Sequence, residues 1–275
     1  ITFPQNMIIL SGNGTNKQLY SIDNGNTWAS ANSVFTTNCY NAIHNGQLWV
    51  AVGSGTHTIS YSTSGTSWTG VVGSTSIFST SGNSLIWNGS MFVSVGTGSS
   101  HTIAFSYDGY SWRGNGTTIF STAGNDVIWF KDRFIAMGSG TNTIAYSTNG
   151  INWTGLGTTI FTSSGNNIVS TPNIIISSGS GTNTLAYSYN GITWIGLGTT
   201  VFATSGKGIS WNGNVFVATG SDTVNTVAYS LNGLVWTGSG LIFTKAGNNS
   251  KWLGNQFIAG GSTILPMYIS IGYGG

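Results

Sequence analysis

Charge is what this chain most lacks. Of 275 residues, 7 are Lys or Arg and 5 are acidic, every acid being Asp, so 4% of the chain is charged and Glu is absent. An ordinary soluble domain carries about 25% charged residues. A net charge of +2 offers no basic field for phosphates, and the one basic cluster, Lys131 and Arg133, is interrupted by Asp132, so nucleic acid is excluded as a partner. Cys39 is the sole cysteine, which rules out an intrachain disulfide and leaves the redox compartment open. Long apolar runs are missing too. The best, such as Ile174-Ile175-Ile176, fall far short of the roughly 20 residues of a membrane helix, so membrane insertion is not expected. Scarce Glu, Lys and Arg argue against a coiled coil or an α-rich fold. The start at Ile1, without an initiator Met, reads as a processed product or as part of a longer chain.

What fills the space is Gly, at 42 residues, with Ser, Thr and Asn, while 39% of the chain is hydrophobic and 13% aromatic. That is ample material for a core, so disorder is excluded. The dominant signal is a repeat. An apolar strand ending in Gly recurs seven times, its glycines at 12, 53, 96, 138, 179, 220 and 261, spaced by 41 to 43 residues. A Tyr/Phe-Ser-x-(x)-Gly-x-x-Trp element occurs six times, with its Trp at 28, 68, 112, 153, 194 and 236. So does the Phe of a Thr-Ile-Phe-like strand, at 35, 78, 120, 161, 202 and 243.

Each repeat reads as four short strands, A to D. In the third, A is Ser84 to Trp87 and B is Met91 to Val95, joined by Asn88-Gly89; C is Thr102 to Ser106, and Asp108-Gly109 leads to D, from Trp112 to Phe120. Asn-Gly and Asp-Gly between apolar runs predict hairpins with positive φ at both central residues. No helical period is visible. Four-stranded units of this length predict an all-β fold, a β-propeller filling residues 1–275 as one domain. The blades are expected near 1–38, 39–81, 82–123, 124–164, 165–205, 206–246 and 247–275. The first A strand is Ile1-Thr2-Phe3, and the seventh blade lacks its outer strand because the chain stops just after Tyr268-Ile269-Ser270. The alternative is six blades, which leaves about 26 residues with a good A-B-C pattern unplaced.

Ser21-Ile22-Asp23-Asn24-Gly25-Asn26-Thr27-Trp28 resembles the Asp-box of bacterial neuraminidase repeats, Ser-x-Asp-x-Gly-x-Thr-Trp. Ser106 to Trp112, with Asp108, resembles a shortened form, as do the elements holding Asn149 and Trp153, Asn190 and Trp194, Asn232 and Trp236, and the one ending at Trp68. The whole unit is also similar to repeat proteins encoded by large DNA viruses and some phages. The resemblance implies a box on the hairpin between the third and fourth strands. Physically, the Asp or Asn accepts backbone N–H groups, Gly25 and its equivalents supply positive φ, and Trp packs on the blade. Ser64 replaces the acid in the second copy, so the box is structural.

The same resemblance raises a glycosidase, since sialidases share the box. Their chemistry needs an arginine cluster, an acid and a nucleophile, and this chain has Arg113 and Arg133 at different points of the repeat. General glycoside hydrolysis needs two facing carboxylates. The five acids, Asp23, Asp108, Asp126, Asp132 and Asp222, occupy four repeat positions; the shared one, of Asp23 and Asp108, is the turn. No catalytic residue, metal set or cofactor is therefore expected, and the chain reads as a non-enzyme.

One position does suggest ligand contact. Asn16, His57, His101, Asn142, Asn183 and Asn225 all stand in B–C turns, at the blade end opposite the box, where amides and imidazoles would hydrogen-bond a neutral sugar repeatedly. The bland reading is that Asn suits Gly-rich turns. Exposed aromatics are expected at Tyr107, Tyr110 and Tyr189. Taken together, the sequence reads as a structural or surface-exposed module of a virion or cell exterior, engaging other proteins of a larger assembly. The alternative is a multivalent lectin-like module for neutral glycans.

Overall fold

The computed structural model describes residues 7–254, 256–262 and 269–271, so the expected first strand at Ile1-Thr2-Phe3 lies outside the described residues. The chain divides into two compact units, Ile1–Trp129 with Asn149–Asn152, and Phe130–Thr148 with Trp153–Gly275.

In the first unit, β1 (Ile8–Ser11), β2 (Gln18–Ser21) and β3 (Ala29–Ser30) form an antiparallel sheet with Ile8 opposite Ser21 and Leu19 opposite Ser30. Two four-stranded antiparallel blades follow. One is β4 (Asn38–His44), β5 (Trp49–Ser54), β6 (Ile59–Ser62) and β7 (Thr69–Gly70); the other is β8 (Ser81–Trp87), β9 (Phe92–Thr97), β10 (Ile103–Ser106) and β11 (Arg113–Gly114). A single helical turn, α1 (Ser74–Ile77), lies between them, where the sequence shows no helical period. β12 (Ala123–Phe130) carries the chain to the second unit.

There, β13 (Arg133–Ser139), β14 (Ile144–Ser147) and β15 (Thr154–Gly155) pair in order. They are followed by β16 (Ser164–Ser170), β17 (Ile175–Ser180), β18 (Leu185–Ser188) and β19 (Ile195–Gly196), then by β20 (Ser205–Trp211), β21 (Phe216–Ser221), β22 (Val227–Ser230) and β23 (Thr237–Gly238). The last group is β24 (Ala246–Trp252), β25 (Phe257–Ser262) and β26 (Ile269–Ile271). Within each unit, single ladder pairs join successive blades: Ser54 opposite Ser81 in the first, and Ser139 opposite Ser164, Ser180 opposite Ser205 and Ser221 opposite Ala246 in the second.

The second strands β5, β9, β13, β17 and β21 are covered on both faces, which is why they read as runs rather than alternations. Val50, Ala51 and Val52 are fully buried, as are Phe92, Val93, Ser94 and Val95. Adjacent blades are locked by a side chain and a gap. Phe35, Phe78, Phe161, Phe202 and Phe243 are 0–3% exposed. A methyl group on Gly53 or Gly96 would come within 2.8 Å of the ring of Phe35 or Phe78, and Gly179, Gly220 and Gly261 face Phe161, Phe202 and Phe243 in the same way. The strand-ending Gly and the recurrent Phe are thus one contact, made between neighbouring repeats.

Two expectations are corrected. Strand D was expected from Trp112 to Phe120, but it is two residues, Arg113–Gly114. Gly116, at φ +78°, turns the chain out of the ladder, and its carbonyl accepts the Thr102 N–H (3.0 Å). Apart from Asn24-Gly25, the Asn-Gly turns do not have positive φ at both residues either. The Asn45 N–H donates to Leu48 O (3.1 Å), so the loop is Gly46-Gln47, with Gly46 at φ +98°. Glycine at the first central position is the type II′ arrangement. Asn45 instead stays in register and its Oδ1 accepts the N–H groups of Gln47 (3.0 Å) and Leu48 (2.8 Å). Asn88 and Asn212 do the same. Among the described non-glycine residues only Asn24 and Lys131 have positive φ.

The first strands β4, β8, β16, β20 and β24 carry a bulge that the sequence reading does not contain. In three of them the extra residue reaches the next first strand: Asn83 Nδ2 donates to Gly124 O (2.8 Å), Asn166 Nδ2 to Gly206 O (2.7 Å) and Lys207 Nζ to Asn248 Oδ1 (3.1 Å). Repeats are therefore stitched by hydrogen bonds as well as by the buried Phe.

Candidate binding surface

The box hairpins follow one plan. Ser106 Oγ accepts the Gly109 N–H (2.9 Å) and donates to Asp108 Oδ1 (3.0 Å), and that oxygen accepts the N–H groups of Tyr110 (2.8 Å) and Ser111 (2.7 Å). Trp112 Nε1 donates to Gly109 O (3.1 Å). Asn149, Asn190 and Asn232 take the place of Asp108, and Trp68, Trp194 and Trp236 donate to Gly65, Gly191 and Gly233. Trp153 lies against Phe134, with ring centroids 6.4 Å apart. In the longer first box, Ser21 Oγ accepts the Gly25 N–H, and the Thr27 hydroxyl and N–H hold Asp23. With the Ser21 hydroxyl they lower its carboxyl to a pKa of about 2. Trp28 stays 37% exposed there. In the second copy Ser64 Oγ accepts the Thr66 and Ser67 N–H groups, so a hydroxyl serves as well as a carboxylate. At Asp108, burial pushes the carboxyl up, but the backbone N–H groups of Ser111 and Tyr110 outweigh it and hold it below its ordinary value.

The B–C residues are placed just as regularly. Asn142, Asn183 and Asn225 accept the N–H groups of Gly157 (2.8 Å), Gly198 (2.8 Å) and Gly240 (3.0 Å) on Oδ1, and His101 Nδ1 accepts that of Gly116 (2.8 Å). Asn183 Nδ2 also donates to Ile160 O (2.7 Å). Their side chains lie in slots left by Gly155, Gly196, Gly238 and Gly114, and the His57 ring lies over Gly70. Any side chain on those glycines would collide. Asn16 is the exposed member and accepts from Ser30 Oγ (3.0 Å). Each of these groups bonds to or packs on its own repeat, and Asn183 and Asn225 also reach a carbonyl of the segment before it, Ile160 O and Val201 O.

The remaining reactive groups are each engaged as well. Asp126 accepts from Ser84 Oγ (2.7 Å), Asp132 pairs with Arg133 (2.9 Å), and Asp222 accepts the Thr223 N–H (2.6 Å). Cys39 is buried, and burial pushes its thiol up to about 12. It stands where the next blade has Gly82. His44 packs on Trp49 (centroids 4.9 Å apart), and burial lowers its pKa. Among the described residues no three His, Cys, Asp or Glu gather to hold a metal, and no helix is long and apolar enough to cross a membrane.

A concave surface lies at the box end of the first unit. A groove of about 480 Å³ runs between the β4–β5 loop, with Asn45, Gln47 and Leu48, the β8–β9 loop, with Trp87, and the β10–β11 hairpin, with Tyr107, Asp108 and Tyr110. On the other side of Tyr107 lies a cleft of about 240 Å³ bounded by Phe105, Ser111 and Arg113. Tyr107 is 61% exposed and Tyr110 46%. Both rings are buttressed edge-on, Tyr110 by Tyr61 (4.6 Å) and Tyr107 by Phe105 (6.0 Å), and Trp87 leans on Phe92 (4.5 Å). The tyrosines themselves are visible in the sequence, but the groove needs loops from two blades. No other box hairpin carries two aromatic rings at these positions; the equivalent pairs are Thr63/Thr66, Thr148/Ile151, Tyr189/Ile192 and Leu231/Leu234.

No protein-family model matches the chain, and no curated protein matches it. Solved structures do. A GH74 enzyme of Niastella koreensis superposes with a TM-score of 0.68 at 13% identity, covering 98% of this chain and 52% of its own. YCF48 bound to the D1 peptide gives 0.67 at 14% identity, over 94% of this chain and 87% of its own. The computationally designed Ika8 protein gives 0.64 at 14%, over 98% and 82%. The chain thus spans about half of the GH74 enzyme. Likeness at this identity shows the fold alone, and the fold is an all-β propeller.

Proposed function

We propose that this propeller is a non-enzymatic recognition module and that its recognition surface is the box end of its second and third repeats. The observation that carries this reading is the placement of the acids. Asp23 and Asp108 close turns on backbone N–H groups, Asp126 accepts from Ser84 on the neighbouring first strand, and Asp132 and Asp222 bond to the residue that follows each of them. A hydrolase needs two carboxyl groups facing one bond, one of them held protonated. Here Asp23, Asp108 and Asp132 are all held below their ordinary pKa, the direction that disables a general acid. One structural neighbour is bound to a peptide, which fits a fold used for holding partners. Low charge suits a surface that meets partners without desolvating ions, and we place it on a virion or cell exterior within a larger assembly.

The test is hydrolysis. Soluble xyloglucan and other neutral β-glucans incubated with the purified chain should release no new reducing ends. Sustained release, abolished by Asp108→Asn, would overturn the proposal.

A further inference from the structure

We propose that the groove between Tyr107, Tyr110 and Trp87 is a single binding site for a neutral pyranoside saccharide. This rests on the reading of the module as a non-catalytic recognition element and adds its ligand class. Three observations converge. First, the rings that wall the groove are fixed, Tyr107 and Tyr110 exposed and Trp87 half-buried, each leaning on another aromatic, so little order has to be imposed on binding. Flat, apolar ring faces of this kind suit the C–H face of a pyranose.

Second, the polar residues beside the rings complement hydroxyl groups, which both donate and accept. Asn45 uses Oδ1 in its own turn, which leaves its NH₂ for a ligand. The exposed Gln47 adds a whole amide, and Asp108 adds an ionised acceptor whose geometry the hairpin sets. A few convergent polar groups among aromatic walls, in a volume of this size, describe a small-molecule site. Third, no Lys or Arg lines the groove, and the Asp108 carboxylate opposes an anionic ligand. Arg113 belongs to the cleft beyond Tyr107. A proline-rich peptide would also stack on tyrosines, but it prefers apolar walls, whereas amides and a carboxylate lie opposite these rings. Because no other repeat pairs two rings on its box hairpin, the site is single. This replaces the expectation of one contact per repeat at the opposite blade end.

The experiment is saturation-transfer NMR on the whole chain with methyl glycosides of glucose, galactose, mannose and N-acetylglucosamine, and with their disaccharides. At least one neutral sugar should receive saturation on its ring C–H protons, with a Kd in the high micromolar to millimolar range. Tyr110→Ala should weaken it about tenfold, while Tyr110→Phe restores it because the ring face is kept. Asp108→Asn retains the turn, as Asn149, Asn190 and Asn232 do elsewhere, and should cost several-fold in affinity. Tyr189→Ala should change nothing. Silence from every neutral sugar at high millimolar concentration would overturn the site, as would binding indifferent to Tyr110→Ala, or tighter binding of sialyllactose or a proline-rich peptide. The two proposals fail separately. A sugar that binds and is cleaved defeats the non-enzymatic reading but keeps the site; no binding and no cleavage defeats the site alone.

Discussion

The two ends of a blade use polar and aromatic side chains in opposite ways. At the B–C end, Asn142, Asn183, Asn225 and His101 turn their polar atoms onto glycine N–H groups and fill slots that only glycine leaves open. At the box end of the third repeat, Tyr107 and Tyr110 turn their rings toward water. The first set recurs in nearly every repeat; the second occurs once. In a repeat protein, recurrence identifies what every unit needs in order to pack, and departure from it identifies what one unit does alone.

That contrast can be broken by mutation. The largest effect is expected where neighbouring repeats lock: Phe161→Ala removes a fully buried ring seated on Gly179 and should cost about 3–5 kcal/mol by denaturant unfolding. A change within experimental error would show that the ring is not part of the core. Next comes the B–C slot. Asn183→Ala strands the Gly198 N–H and the Ile160 carbonyl and should cost about 1–3 kcal/mol, whereas His101→Asn, which installs the residue used in other repeats, should be nearly neutral. If both were neutral, the slots would be ornamental and the ring of side chains open to ligands again.

Smaller effects follow from the box and a turn. Asp23 has a folded pKa depressed from 3.8 to about 2, so its contribution to stability is fully present above about pH 4 and is lost as pH falls toward 2. Thermal midpoints of Asp23→Ser, which copies the second box, should be flatter than wild type across that window; parallel curves would contradict the assignment. The smallest change is Lys131→Gly, in a loop where other repeats have glycine and Lys131 has φ +56°. Relieving that conformation should stabilise by no more than about 1 kcal/mol, and a clear loss would mean that its contact with the Phe130 ring outweighs the backbone strain.

Much of this was legible in the sequence. The repeat length, the second and third strands, and the structural character of the box all follow from residues with a local job: Gly at a turn, an acceptor two residues before the N–H it takes, Trp over its own hairpin. Pairings between repeats are not written locally. Phe161 and Gly179 were both visible as periodic marks, yet nothing in the chain says that one fills the other, because the contact joins two blades. Strand D was read too long since Thr-Ile-Phe has strand-like composition; the backbone leaves the ladder earlier, at Gly116 and its equivalents. The B–C residues were visible as a set, but their role depends on glycines thirteen positions later, as with Asn142 and Gly155. The groove was invisible for a similar reason, being assembled from loops some forty to sixty residues apart.

One paired measurement goes to the centre of the account: melting temperature and saccharide affinity recorded together for Tyr110→Ala and Asn183→Ala. Tyr110→Ala should keep the wild-type melting temperature and lose the sugar, while Asn183→Ala should melt several degrees lower and bind as wild type does. Sugar binding lost in Asn183→Ala at unchanged stability, with Tyr110→Ala still binding, would contradict it.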